Sequence, residues 1–341
     1  MLEGKELILA TKPFACETRT KSWLYTLSTL FLLALSLAGT LVLPHPFFRV
    51  ICSILSGFLI IRMFVIYHDH QHHAILHNSW AATAIMTVFG IYVLAPVSIW
   101  KRSHDYHHKN NSKLFSAGIG SYPIATRQKF EMMTPAERRT YLFTRHPATI
   151  AAGYLFMFLI GMCLRSFTCS PRKHMDSLLA LFIHIGGSIA VVYFLGWQSW
   201  LLFIVIPFTI ACGTGAYLFY AQHNFPGVTF SDNEDWCYHT AALESSSHMV
   251  MNPVMAWFTG NIGLHHIHHL NARIPFYRLP EVMQHFPELQ IAKTTSLSLR
   301  DIRACFRLKM WDPALNRMIS IREASALKVD AQKKFAAATP V

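Results

Sequence analysis

Long apolar stretches separated by short polar ones fill most of the first 221 residues. Residues 23–43 can cross a hydrocarbon layer of about 30 Å as a helix, because a helix rises about 1.5 Å per residue. Pro44 and Pro46 interrupt this stretch, and residues 47–67 are apolar again. The pattern predicts a hairpin of two spanning helices, which returns the chain to the side of the membrane where it began.

Residues 178–197 and 201–221 predict a second hairpin of spanning helices. Two other apolar stretches, 81–99 and 148–164, are predicted not to span. A single crossing by the first would place two histidine clusters on opposite sides of the membrane. A crossing by the second would strand the basic segment 165–173 outside, whereas Lys and Arg favour the cytoplasmic side. Both stretches are expected to lie in the interface or to dip into the bilayer and return.

The remaining sequence is polar or amphipathic. Residues 101–145 and 222–325 predict a helical cap on the cytoplasmic side, and residues 326–341 predict a loose tail. The fold class expected for residues 1–341 is therefore a single-domain, all-α integral membrane protein. It has four transmembrane helices, interfacial or re-entrant helices, and both termini in the cytoplasm.

Composition supports a membrane protein, since hydrophobic residues make up 52% of the chain and charged residues only 14%, against about 25% charged residues in soluble domains. The net charge of +12 suits nucleic acid, an anionic lipid surface or an acidic protein. So apolar a sequence, without an aromatic and basic RNA-binding module, argues against nucleic acid. The seven cysteines include no C-x-x-C pair, which indicates reduced thiols.

Two ionisable residues fall inside predicted spans. Arg62 lies before the end of the first hairpin and is expected to snorkel towards the interface, or to pair with an acid. His184 lies within the second hairpin. It is expected to hydrogen-bond to a neighbouring helix rather than to act in chemistry.

Histidine is the most informative residue type, since its 20 copies outnumber the 18 acidic residues. Three clusters of histidines stand beside apolar stretches. The first contains His68 and His72, the second His104, His107 and His108, and the third His265, His268 and His269. His223 directly follows the apolar stretch 201–221. Positions i, i+3 and i+4 share one helix face, so the imidazoles of a cluster such as His265, His268 and His269 are expected to converge on one point. The predicted metal ligands are His68, His72, His104, His107, His108, His223, His265, His268 and His269.

Nine imidazoles exceed the four ligands of zinc and suit two metal ions. Imidazole binds zinc, copper, iron and nickel alike, so ligand type leaves the metal open. Carboxylate-bridged di-iron bundles are disfavoured, because no repeated Glu-x-x-His is present. His70 and His266 point away from the cluster faces and are not expected to bind metal. Other residues are expected to accept hydrogen bonds from the N–H groups of the ligand imidazoles without binding the metal themselves. They are Asp69, Asp105, Asn224 and Asn261.

Three segments resemble the membrane-bound fatty acid desaturases with histidine boxes, and most of all the acyl-lipid Δ12/ω-6 type. They are Trp100–Asn111, Phe219–Phe225 and Trp257–Leu279, within a similarity that runs from about residue 60 to residue 312. The family's ligand histidines fall on the nine positions given above. The resemblance implies two iron ions, O2 as co-substrate, and conversion of an unactivated acyl chain to a cis-unsaturated one. Such a chain has no polar group near the reacting carbons, so an apolar channel is needed to position it.

The resemblance also implies a fatty acyl lipid substrate and an electron donor. No haem-binding or ferredoxin-like segment is visible, so a separate ferredoxin or cytochrome b5 is expected, and a basic cytoplasmic face suits it. The same face suits anionic membrane lipids. A hydroxylase or ketolase of an alkyl chain or carotenoid would share the site and stays an alternative. A metal transporter is disfavoured, because its ligands should lie near the middle of the spans.

Overall fold

The structure, a computed structural model, describes residues 2–114, 122–232 and 234–338. Helices dominate, with two short two-stranded sheets. The α-helices are α1 (Gly4–Ala10), α2 (Arg19–Val42), α3 (Pro46–Gln71), α4 (Trp80–Tyr92), α5 (Val97–Asn110), α6 (Arg127–Met132), α7 (Pro135–Thr144), α8 (Pro147–Ala151), α9 (Ser166–Cys169), α10 (Met175–Trp200), α11 (Ile206–Gln222), α12 (Tyr238–Glu244), α13 (Pro253–Phe258), α14 (His265–Leu270), α15 (Leu279–His285), α16 (Pro287–Gln290), α17 (Leu299–Arg307) and α18 (Ile321–Ala338). Lys12–Phe14 and Pro171–Lys173 are 3-10 turns, and Tyr154–Arg165 and Leu201–Val205 are π-helical. Strands β1 (His248–Val250) and β2 (Thr294–Ser296) pair in parallel, and β3 (Met310–Asp312) and β4 (Arg317–Ile319) pair antiparallel.

Helices α2 and α3 form the first predicted hairpin. Small residues let them approach closely, as is common between helices in membranes. The Ser36 hydroxyl donates to the carbonyl oxygen of Cys52 at 2.7 Å, and a Cβ on Gly39 would lie only 2.7 Å from the Cys52 sulfur. Helix α3 runs on to Gln71, past its predicted end at residue 67. The first histidine cluster therefore lies on the last turn of a spanning-length helix.

The second hairpin is one helical stretch, Met175–Gln222, that reverses its direction at Gly196, where φ is 82° and ψ is 164°. His184 and Phe208 would lie about 36 Å apart on a straight helix, but their ring centroids are 4.8 Å apart. His184 also hydrogen-bonds to the Tyr154 hydroxyl, which confirms the role expected for it. Within the described residues, α2, α3 and this stretch are long and apolar enough to cross a membrane.

Neither of the other apolar stretches is a straight helix of spanning length. The one at 81–99 breaks before Pro96, where α4 and α5 meet at 93°. The one at 148–164 is divided between α8 and the π-helical segment. A Cβ on Gly153, at their junction, would lie 2.8 Å from the Cys212 carbonyl oxygen, so this segment packs tightly against α11.

Arg62 departs from its expected role. It is buried, with only 3% of the residue exposed, so it does not snorkel, and it has no acidic partner among the described residues. Its guanidinium donates to the Trp257 carbonyl oxygen and lies 4.0 Å from the centroid of the Trp257 ring. The aromatic ring and a backbone carbonyl take the place of water, and they tie α3 to α13 of the cap.

The tail expected to be loose from residue 326 is helical as far as Ala338. Its alanines and lysines favour a helix on their own. A capping box starts it: Ser320 N–H donates to Glu323 at 2.8 Å, and Glu323 N–H donates to the Ser320 hydroxyl at 3.2 Å. Residues 339–341 lie outside the described residues.

Candidate metal centre

All nine predicted histidines come together at the C-terminal ends of α3 and α11, beside α5 and α14. Their ring nitrogens divide into two sets, and within each set these atoms lie within 4.8 Å of one another. The five-histidine group consists of His68, His72, His104, His108 and His268. The four-histidine group consists of His107, His223, His265 and His269.

The second and third clusters each contribute to both groups. His265 and His269 belong to one group and His268 to the other; likewise His104 and His108 separate from His107. On a helix i+4 is about 40° from i in one direction, and i+3 is about 60° from i in the other. The expectation that one cluster converges on one point is therefore corrected. The i, i+4 pair belongs to one candidate metal position and the i+3 residue to the second.

The spacing of the nitrogens fits metal ions. Nε2 contacts of 2.9 to 3.2 Å join the four-histidine group into a closed ring. Contacts of 2.9 to 3.1 Å link four members of the other group. Two nitrogens at right angles around an ion, each about 2.1 Å from it, lie about 3.0 Å apart. His72 Nε2 is buried without a partner among the described residues, so an ion would satisfy it.

Burial keeps these imidazoles in the neutral form that binds metals. It lowers the pKa of His268 well below the ordinary value, and repulsion from His68 adds to the effect. Burial lowers the pKa of His269 in the same way, together with repulsion from His108. Burial also lowers the pKa of His223 to about 4. At neutral pH these three rings are therefore uncharged and ready to donate a lone pair.

Hydrogen bonds orient several of the rings. His68 Nδ1 lies 3.1 Å from the Asp69 carboxylate, as expected for that acid. His223 Nδ1 lies 2.9 Å from the carbonyl oxygen of Ser245. In both cases Nδ1–H donates outwards, which leaves Nε2 free to face a metal. The Tyr238 hydroxyl donates to the His269 carbonyl oxygen at 2.6 Å and fixes the backbone of α14.

The other three residues expected to hold imidazoles contact different groups. Asp105 pairs with Lys101 at 3.1 Å, one turn back on α5. Asn224 accepts from Arg145 at 2.6 Å, and Asn261 donates to the Phe276 carbonyl oxygen at 3.1 Å. Adjacency in sequence suggested contacts with the histidines, but Asp105 pairs within its own helix and the two asparagines contact other parts of the chain.

The two histidines judged not to be ligands lie outside both groups. His70 Nδ1 lies 3.2 Å from the Ile75 carbonyl oxygen, and His266 Nε2 lies 3.1 Å from the Leu289 carbonyl oxygen. Both rings contact backbone carbonyl oxygens instead, and that neither binds metal stays a prediction. His266 belongs to α14 and is fully buried, so its contact anchors the third cluster on α16.

Two residues that support the site were missed. Trp100 stacks on His104 with ring centroids 4.5 Å apart, and its position four residues before His104 was a usable signal. Arg145 is fully buried and donates to the carbonyl oxygen of Pro123 as well as to Asn224. Its place in a basic, polar stretch suggested a surface residue. Only the tertiary fold encloses it.

A cavity of about 650 Å³ opens beside the metal centre and is lined mainly by apolar side chains. His68, His104 and His265, which come from both groups, form part of its wall. Most of the rest of the wall comes from α3, α5, α11 and the π-helical segment. The site therefore brings two potential metal positions against a space of the size and polarity that suit a small apolar ligand or an alkyl chain.

Helices that can cross a membrane, buried histidine groups that could hold metal ions and an apolar cavity together indicate a membrane protein with a metal site and an apolar ligand. The family is established by comparison with known proteins. The fatty acid desaturase family model matches residues 44–296. The chain belongs to this family of oxidoreductases.

Individual relatives agree with that assignment. A fatty acid desaturase of Bacillus subtilis (strain 168) is 30% identical over 277 residues, which cover 81% of this chain and 78% of the relative. The sn-1 acyl-lipid omega-3 desaturase (ferredoxin) of Nostoc sp. (strain 36) is 24% identical, with 76% and 73% covered. The sn-1 oleoyl-lipid 12-desaturase of Synechocystis sp. (strain ATCC 27184 / PCC 6803 / Kazusa) is 22% identical, with 80% and 78% covered.

Proposed function

We propose that the protein introduces a cis double bond into a fatty acyl chain in an O2-dependent reaction at a centre of two iron ions. The observation that carries the proposal is the shared wall of the centre and the cavity. His68 and His104 of one group, and His265 of the other, line the same apolar space. An alkyl chain in that space passes within reach of both metal positions.

The five-histidine group would hold one iron and the four-histidine group the other. When bound, the irons supply the activation of O2 and the oxidising power to remove hydrogen from two neighbouring carbons. Two hydrogens from the chain, two external electrons and two protons reduce one O2 to two waters. The protein's own residues position the chain and keep water from the reacting carbons.

The acyl group is proposed to be carried on a membrane lipid, with Δ12/ω-6-like placement of the new bond. The cavity lies among helices of spanning composition, so a lipid can enter from the bilayer. Two relatives are named for acyl-lipid and oleoyl-lipid substrates. These features support a lipid carrier over a soluble one.

Electrons are proposed to come from a separate ferredoxin or cytochrome b5. The name of the Nostoc relative specifies ferredoxin. Basic residues on α5, among them the exposed Lys109, lie next to the second histidine cluster and offer an acidic donor a short route to the metals.

We further propose that residues 1–341 form one membrane domain with four spanning helices, 23–43, 47–67, 178–197 and 201–221. Both termini and the metal centre would face the cytoplasm. Reversal at Gly196 supports the second hairpin. Basic segments on the side of the histidines support the orientation.

Lipid analysis of a desaturase-free host tests the function. The host would express the wild-type chain, His268→Ala, or the control His77→Ala, which changes an exposed histidine outside both groups. A new cis double bond is expected with the wild type and the control and not with His268→Ala, which removes a ligand. Hydroxylated or keto products would assign the chain to oxygen insertion instead. No new product from protein that contains two irons and has a donor would refute the proposed reaction.

A further inference from the structure

We propose that Gly215 sets how far the acyl chain extends past the metal centre, and thereby the position of the double bond relative to the methyl end. The proposal rests on the proposed function, since it concerns the same cavity. It assigns a specificity-determining role to one residue of α11.

One face of α11 forms a wall of the cavity. Ala211, Gly215, Leu218 and Gln222 line it at the i, i+4, i+7 and i+11 positions. Gly215 lies eight residues before His223, or about 12 Å along the helix. Because α11 ends at the histidine layer, this face leads from the metal centre into the apolar depth of the cavity.

The two glycines of α11, Gly213 and Gly215, differ in how closely other atoms pack against them. A Cβ on Gly215 would meet no atom within 4 Å. A Cβ on Gly213, two residues earlier, would lie 2.6 Å from the Ala151 carbonyl oxygen. Gly213 is therefore required for packing against Ala151. Gly215 lines the cavity, and the space in front of it is empty. A larger side chain at 215 would project into the cavity.

The lining of the cavity is not uniform in polarity. Polar groups come from Arg102 and Arg165, both exposed, and from Ser170. We infer that these groups mark a polar end, which would orient the chain. Neither guanidinium makes a hydrogen bond or ion pair with the side chains of the described residues. The carbonyl and headgroup end of a lipid suits this end, and the methyl end suits the apolar depth.

The consequence of filling the space at Gly215 follows from this orientation. A chain that enters from the polar end would seat less deeply, because its methyl end would meet the new side chain. The carbons beside the metal centre would then lie nearer the methyl end. Alternatively, when the headgroup fixes the register, shorter acyl chains would be preferred.

The test compares Gly215→Ala and Gly215→Leu with wild type in a host supplied with acyl chains of graded length. Double-bond position and chain-length distribution are read by mass spectrometry of derivatised lipids. Gly187→Leu is the matched control, because a Cβ there also meets nothing within 4 Å, and Gly187 is exposed on α10 away from the cavity. For Gly215→Leu we expect at least a tenfold rise in the ratio of shorter-chain or methyl-shifted products, with a smaller rise for Ala and none for the control.

Two outcomes overturn the proposal. One is a Gly215→Leu enzyme with wild-type bond position and chain preference. The other is equal loss of activity at every chain length, with metal content and thermal stability unchanged. An absence of any desaturated product from the wild type would instead refute the proposed function, so the two failures are distinguishable.

Discussion

Asp69 connects two parts of the site through one carboxylate. One oxygen lies 3.1 Å from His68 Nδ1, and the other accepts from the backbone N–H of Phe276 at 2.6 Å. The side chain is buried. The same residue thus orients a ring of the five-histidine group and anchors the segment that follows α14.

We expect Asp69→Asn to weaken metal binding by about 10- to 100-fold, the usual effect of losing a partner that orients a ligand. An amide has one accepting oxygen, so it cannot satisfy both donors. Iron per chain, titrated with a competing chelator, measures the change. Asp105→Asn is the control, since Asp105 pairs with Lys101 rather than with a histidine. Equal metal affinity for the two variants would contradict the role of Asp69.

At the scale of elements, α14 depends on a close approach of two backbones. Met249 N–H on β1 donates to the Gly263 carbonyl oxygen at 2.7 Å. A Cβ on Gly263 would lie 2.4 Å from the Met249 carbonyl oxygen, which is too close for any side chain. Strand β1 therefore fixes where α14 begins, and with it the direction of His265.

Gly263→Ala is expected to push α14 away from β1, at a cost of about 1–3 kcal/mol as in other overpacked sites. Because His265 follows two residues later, metal should be lost from the four-histidine group first. Thermal unfolding in detergent and iron content report the two effects. Gly187→Ala should leave both unchanged, since its Cβ meets open space. Full iron occupancy in Gly263→Ala would show that the β1 contact does not position the cluster.

Over the whole molecule, the two groups join elements that are far apart in sequence. Ligand positions come from α3, α5, the end of α11 and α14. These rings bring the ends of both hairpins together with α5 and α14. Bound ions would therefore act as cross-links of the native fold.

Metal removal is expected to lower the thermal stability of the whole protein. When the free metal concentration is about 100 times the dissociation constant, binding at one site adds about 2.7 kcal/mol to the free energy of unfolding. The melting temperature in detergent should fall by several degrees with a strong chelator and recover with added Fe(II). His268→Ala should show a smaller shift than wild type. An identical melting curve with and without metal would contradict a cross-linking role.

The proposed orientation is testable with the chain's own thiols. Exposed cysteines at positions 16 and 237 lie in the N-terminal segment and the cap, so a membrane-impermeant maleimide should label them only from the cytoplasmic side. Gln198→Cys, in a chain with exposed Cys16, Cys169 and Cys237 changed to Ser, places a thiol in the connection after Gly196. It should react only from the opposite side. Labelling of both from one side would exclude the hairpin topology.

Local patterns account for what the sequence could determine. Hydrophobic length predicted the apolar helices, because it depends on composition along one segment. Helical spacing, together with the resemblance to the desaturases, singled out the nine histidines that the structure brings together. Side-chain direction on a single helix likewise set His70 and His266 apart from them.

Only the tertiary structure decided which elements face one another. It brought histidines of different clusters together into two groups, gave Asn224 the partner Arg145, and enclosed Arg62 and Arg145. It also left the open space at Gly215, which sequence could not distinguish from the tight contact at Gly213. Such features are set by neighbours tens or hundreds of residues away, and local periodicity carries no information about them.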